Sequence, residues 1–72
     1  MRRQVSLAVL RTVERLTKER GIPPTLREVA RGVDKGLTTV LYHVRRLEAE
    51  GLVERDGRMA RTLRLTEKGE GR

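Results

Sequence analysis

The chain contains no cysteine, tryptophan, phenylalanine or asparagine, and only one histidine, one tyrosine and one serine in 72 residues. Without cysteine, neither a disulfide framework nor a thiolate metal site can staple the fold. The lack of Phe, Trp and Cys argues against a secreted mini-protein and for an intracellular, cytoplasmic one. The core must come from Leu and Val, with Ile22, Met1, Met59 and Tyr42 as the other large candidates. No apolar run is long enough to span a membrane. The first eleven residues combine charge with a short apolar run, as a signal peptide does. Glu14, Arg15, Lys18 and Glu19 then follow at helical spacing, which favours an ordinary helix. Catalysis is equally short of material. There is no glycine-rich phosphate loop and no cluster of metal ligands, and Glu48 and Glu50 stand two apart, facing different sides of a helix. No triad can be assembled, so the chain reads as a non-enzyme with no catalytic residues, cofactor or metal.

Positive charge is abundant. Lys and Arg outnumber Asp and Glu by 17 to 10, a formal charge of +7. On so small a body this favours a polyanionic partner. The length allows one domain, with a core limited by a burial of about 60% of the unfolded surface. With a core this small, a small-molecule ligand is not implied.

Periodicity gives the layout. A first helix is expected over residues 3–20, where Val5, Val9, Leu10, Val13 and Leu16 form one stripe. Gly21 suits a left-handed cap, and Ile22-Pro23-Pro24 cannot continue a helix. Thr25-Leu26-Arg27-Glu28 is a capping-box pattern that opens a second helix. Leu26, Val29, Ala30 and Val33 form its apolar face, and Gly32 weakens its last turn. After a turn at Asp34, Lys35 and Gly36, a third helix is expected over 37–50. Leu37, Val40, Leu41, Val44, Leu47 and the stem of Glu48 fall on one side, and Thr38, Thr39, Tyr42, Arg45 and Arg46 opposite, with His43 at the edge. Gly51 is the matching cap. Residues 52–55 and 62–66 read as strands joined by a basic loop, with Leu52, Leu63 and Leu65 facing in. This is a mainly α chain with a small β-hairpin: a winged helix-turn-helix of three helices plus a two-stranded wing. The domain is expected over 1–66, followed by a flexible C-terminal tail over 67–72.

Residues 21–53 resemble winged-helix bacterial transcriptional regulators. The run from Gly21 through Pro23, Pro24, Thr25 and Glu28 to Ala30 is similar to the N-terminal DNA-binding domain of LexA-type repressors. Tyr42 to Val53 is similar to the recognition helix and strand start of many winged-helix repressors, and Leu63 to Gly69 to the end of their wing. The resemblance implies a small prokaryotic regulator that binds double-stranded DNA. Two departures stand out. LexA-type repressors carry a peptidase with a Ser-Lys dyad, for which this sequence has no room, Ser6 being its only serine. Self-cleavage is therefore not implied. Many relatives also place Gly and an apolar residue before the recognition helix, where this chain has Asp34 and Lys35, with Val33 and Leu37 expected to fill that part of the core.

The expected mode is a recognition helix over 37–50 in the major groove and a basic wing over 55–64 on the backbone or minor groove. Thr38, Thr39, Tyr42, His43, Arg45 and Arg46 are the candidates on the helix. Arg58 and Arg61 are the candidates on the wing, with Arg55 and Arg64 on its flanks. Thr25 and Arg27 open the second helix, a natural phosphate site, with Thr25 foremost a cap. Arg2 and Arg3 are candidates to track the phosphate backbone, with a disordered N-terminus as the equal alternative. A homodimer on a two-fold site suits such a module; Leu7, off the main stripe, or the N-terminal turn is a candidate surface for it, with a slightly wide core as the commoner explanation of Leu7. The alternative from another class is a winged-helix adapter that docks on a protein.

Overall fold

The structure, a computed structural model, describes residues 2–71. Met1 and the side chains of Arg2 and Arg3 lie outside the described residues, and so do the expectations placed on them. Helix α1 spans Arg2–Arg20 and ends on Gly21 at φ 73°. Helix α2 spans Leu26–Val33. Both capping-box bonds are present at its start. The Glu28 N–H donates to the Thr25 hydroxyl (3.2 Å), and the Thr25 N–H donates to the Glu28 carboxylate (2.8 Å). Asp34 takes the left-handed position after α2, at φ 56°. Its short polar side chain tolerates that region better than most, so it does the work that glycine does elsewhere. Helix α3 spans Leu37–Ala49 and closes on Gly51 at φ 77°, with Gly51 N–H donating to Glu48 and Leu52 N–H to Leu47.

The core is built from small branched side chains. Val9, Val13, Val29, Val40 and Val44 are fully buried, joined by Leu10, Leu16, Ala30, Leu47, Leu52, Val53 and Leu63. Val5, Leu26, Val33 and Leu65 pack at its margin. Ile22, Tyr42 and Met59, the other large candidates, are exposed instead. Leu37 is also a correction: it is 38% exposed, because α3 begins with it at the rim of the core.

Gly32 is more than a weak spot. A Cβ on it would stand 2.6 Å from Cγ2 of Thr12, a buried residue of α1. Alanine is the better helix former by about 1 kcal/mol, but overpacking costs about 1–3 kcal/mol. Gly32→Ala is therefore expected to lower the melting midpoint. Adding Thr12→Ser, which removes the obstructing methyl, should recover it. Circular dichroism melts decide, and a single variant more stable than the parent would refute the close approach.

The hairpin pairs β1 (Val53–Glu54) with β2 (Arg64–Leu65), antiparallel, Val53 opposite Leu65 and Glu54 opposite Arg64. Both strands are shorter than the sequence suggests. Continuing this register would set Asp56 opposite Thr62. There the Thr62 hydroxyl accepts from the Asp56 N–H (2.8 Å) and donates to the Asp56 carbonyl (3.1 Å), replacing the ladder with side-chain bonds.

Residues Glu67–Glu70 form a short helix, α4, where the sequence suggested a structureless tail. Four residues carry no readable period, and its cause lies in tertiary contacts. Thr66 caps α4 by accepting from the Gly69 N–H (3.1 Å). The carbonyls that follow α3 receive donors from this segment: Lys68 Nζ on Glu50 (2.9 Å), the Thr66 hydroxyl on Gly51, and the Thr66 N–H on Leu52 (3.0 Å). Gly69 is buried directly against the Leu52 carbonyl.

Candidate nucleic-acid interface

Helix α3 has one face for its own domain and one for something else. Val40 and Val44 are fully buried and Leu47 nearly so, while Thr38, Thr39, Tyr42, Arg45 and Arg46 stand exposed on the other side. No acidic residue lies in the first turn of α3. Farther along, Glu48 is turned to Arg55 at the start of the wing loop (3.3 Å), which takes its charge away from the exposed face. Tyr42 and Arg46, one helical turn apart, are joined by a long 3.4 Å hydrogen bond, with the guanidinium 6.0 Å from the ring centre. The Tyr42 hydroxyl raises the Arg46 pKa above its ordinary value; the guanidinium is a cation at neutral pH with or without that partner.

His43 does not join this face. It is 4% exposed, with Nδ1 2.8 Å from the Ser6 hydroxyl of α1. That burial counts against the DNA contact expected of it. His43 ties α3 to α1, and the chain's only serine is its partner. Its ring also meets Tyr42 edge-on at 5.2 Å, which fixes the root of the exposed tyrosine from beneath.

The N-terminus of α3 has an environment the sequence reading missed. Gly36 gives it no side-chain cap, so its first N–H groups remain available to an outside acceptor. A shallow depression of about 460 Å³ lies beside it, lined by Arg27, Arg31 and Lys35 together with Asp34. Arg27 was expected at an interface; Arg31 and Lys35 were not. Their signal was charge alone, and only the fold brings Arg31 from the last turn of α2 to the start of α3.

On the wing, Arg58 is 92% exposed at its side chain and paired only loosely, with Asp56 at 3.5 Å. Arg61 departs from expectation. It lies not at the tip but folded back over the start of α2. Its two terminal nitrogens donate to the two Glu28 oxygens at 3.0 and 3.2 Å, and one also donates to the Pro23 carbonyl at 3.3 Å. Arg20 reaches the same carboxylate from α1. Between the wing loop and the starts of α2 and α3 lies an open groove of about 440 Å³, floored by Pro24, Leu26, Leu37 and Leu63 and edged by Arg27 and Arg58. Thr25 is at the margin of this groove with its hydroxyl engaged in the cap.

Glu28 is the most perturbed acid of this region. Its pKa falls from 4.5 to about 2, first through the Thr25 backbone N–H and then through Arg61; partial burial opposes both, and Arg20 lowers it further by a lesser amount. A depressed carboxylate stabilises the fold above its unfolded value and loses that contribution as pH falls through the folded one. Glu28→Gln should therefore be less stable than the parent at neutral pH, and the gap should close between pH 4.5 and about 2. Melting midpoints of both proteins across that window measure it; a gap independent of pH would contradict the assignment.

Among the described residues no group of three or more potential ligands is placed to hold a metal ion. Among the same residues no helix is long and apolar enough to cross a membrane.

Comparison with known proteins fits this geometry. The model of the family described as LexA DNA binding domain matches residues 2–62. The LexA repressor of Roseiflexus sp. is 40% identical over 58 residues, covering 79% of this chain and 27% of that protein. The LexA repressor of Oenococcus oeni is 38% identical over 64 residues, covering 88% and 30%. That of Lactobacillus johnsonii is 38% identical over 64 residues, covering 88% and 31%. The chain thus spans less than a third of the length of these relatives. A match that extends from α1 to the far side of the wing loop places the chain in the LexA DNA-binding domain family.

Proposed function

We propose that this domain binds duplex DNA in a sequence-dependent way and serves a prokaryotic transcriptional regulator. The observation that carries the reading is α3 itself, buried along one side and presenting Thr38, Thr39, Tyr42, Arg45 and Arg46 on the other. In this reading α3 enters the major groove, where each base pair offers a distinct set of donors and acceptors. Arg45 and Arg46 supply forked donors, and Tyr42 a hydroxyl and a ring edge. The open N-terminus of α3 with Arg27, Arg31 and Lys35 takes phosphate, which sets register without reading sequence. Arg58 reaches the backbone or the minor groove. Thr25 serves as a cap, and His43 and Arg61 are not direct contacts. The domain acts by occupying its site and not by chemistry, in the cytoplasm, and two copies on a two-fold site would raise the affinity of one modest module.

Fluorescence anisotropy on a random duplex pool at several salt concentrations tests this. Tight binding at low salt with a steep negative salt slope is the expected result, because each neutralised phosphate releases counterions. Selection from the pool should then enrich one sequence. A chain that binds no duplex at low salt would be an adapter for a protein and not a DNA reader.

A further inference from the structure

Arg61 has a backbone conformation that arginine rarely adopts, at φ 58°. Such a conformation persists in a bulky residue only when its surroundings over-determine it. Here the side chain is held at both terminal nitrogens by Glu28 and at one of them by Pro23 as well. Glu28 is itself held, by the capping box and by Arg20. The roots of the wing are fixed by Val53 and Leu63 in the core, but little of its ladder extends toward the tip. Its ladder is two residue pairs long, and a two-stranded ribbon alone is not stable in water. Each limb of the loop is instead tied to one helix of the helix-turn-helix. The outgoing limb is tied through Arg55 to Glu48 of α3, the returning limb through Arg61 to Glu28 of α2. Between the two ties, Arg58 projects into solvent.

We propose that the Glu28–Arg61 pair is a positioning latch: it anchors the returning limb of the wing on the start of α2 and so aims Arg58 at the nucleic acid. Arg61 and Glu28 are positioning residues, acting through Arg58. The inference rests on the DNA-binding reading and extends it. An exposed ion pair is normally weak. This one is two-pronged and belongs to a three-residue network, the arrangement in which geometry and strength both improve.

Glu28→Gln separates the latch from simple electrostatics by the sign of its effect. Glutamine keeps an acceptor for the cap and removes one negative charge, so the protein becomes more positive. The field of the molecule alone then demands tighter DNA binding. The latch demands weaker binding. On a labelled duplex selected from a random pool, Glu28→Gln should lose about fivefold in affinity, the scale of one charge-assisted contact. Its salt slope should also fall by about 1 as the Arg58 contact is lost. Arg61→Gly, which removes the pair while relieving the backbone, should do the same. The double variant should be no worse than either single one, and neither should cost anything further in an Arg58→Ala background. A Glu28→Gln protein that binds as tightly as the parent or tighter overturns the proposal. So does an Arg61→Gly loss that Glu28→Gln does not share, since Arg61 would then touch DNA itself. Amide hydrogen exchange without DNA gives an independent reading. Both variants should speed exchange at residues 57–61 and leave α3 protected; unchanged exchange there also overturns the latch. If the parent binds no duplex at low salt, the functional reading fails while the exchange result still judges the latch.

Discussion

Replacing Gly69 by alanine is expected to lower the melting midpoint by about 10 °C, taking about 1–3 kcal/mol for overpacking and 4–8 °C per kcal/mol in a domain of this size. A Cβ at Gly69 would stand 2.0 Å from the Leu52 carbonyl oxygen and 3.0 Å from its carbon. Both atoms are backbone, so no side chain can swing aside. Either α4 leaves its seat or the end of α3 shifts. The first outcome strips donors from the carbonyls of Glu50, Gly51 and Leu52; the second displaces the reading helix. Gly71→Ala is the matched control, because its Cβ would meet nothing closer than 3.6 Å. Both proteins can be melted side by side by circular dichroism. Equal midpoints would refute the packing of α4 against Leu52.

Arg46→Ala should weaken binding to a selected duplex by about 5- to 150-fold, the span for one base contact, and weaken binding to random duplexes far less. Arg46 is exposed, and its approach is set by Tyr42 one turn earlier. Arg46→Lys gives a sharper answer. Lysine keeps the charge but not the planar fork, so it should restore a phosphate contact and not a two-pronged contact to guanine. Titrations of selected and random duplexes at one salt concentration suffice. If Arg46→Ala lowers both affinities equally, or Arg46→Lys restores the selected duplex in full, Arg46 is a point charge on the backbone and sequence is read elsewhere on α3.

Local signals in the sequence carried most of the fold. Thr25-Leu26-Arg27-Glu28 has the chemistry of a capping box, and both of its bonds form. Gly21 and Gly51 stand where left-handed caps are needed and take that conformation. The stripes of α1 and α3 repeat often enough for period to outweigh composition. The signal failed wherever a distant residue decides. A helical wheel leaves His43 on the boundary, and Ser6, 37 positions away, draws it inward. Arg61 looked like wing charge until its backbone turned it toward Glu28, 33 positions back. Gly69 gave no hint of burial, because its importance lies in the absence of an atom. The strand ends went the same way, since a threonine hydroxyl and a ladder donor are indistinguishable until register is known.

Tyr42 is the only tyrosine in a chain without tryptophan or phenylalanine, and it stands 44% exposed on the outward face of α3. The core, all aliphatic, neither absorbs in the near ultraviolet nor emits. Every photon this protein returns under tyrosine excitation therefore comes from the face proposed to meet DNA. Its emission is a reporter of occupancy, quenched or spared according to what stacks against that ring.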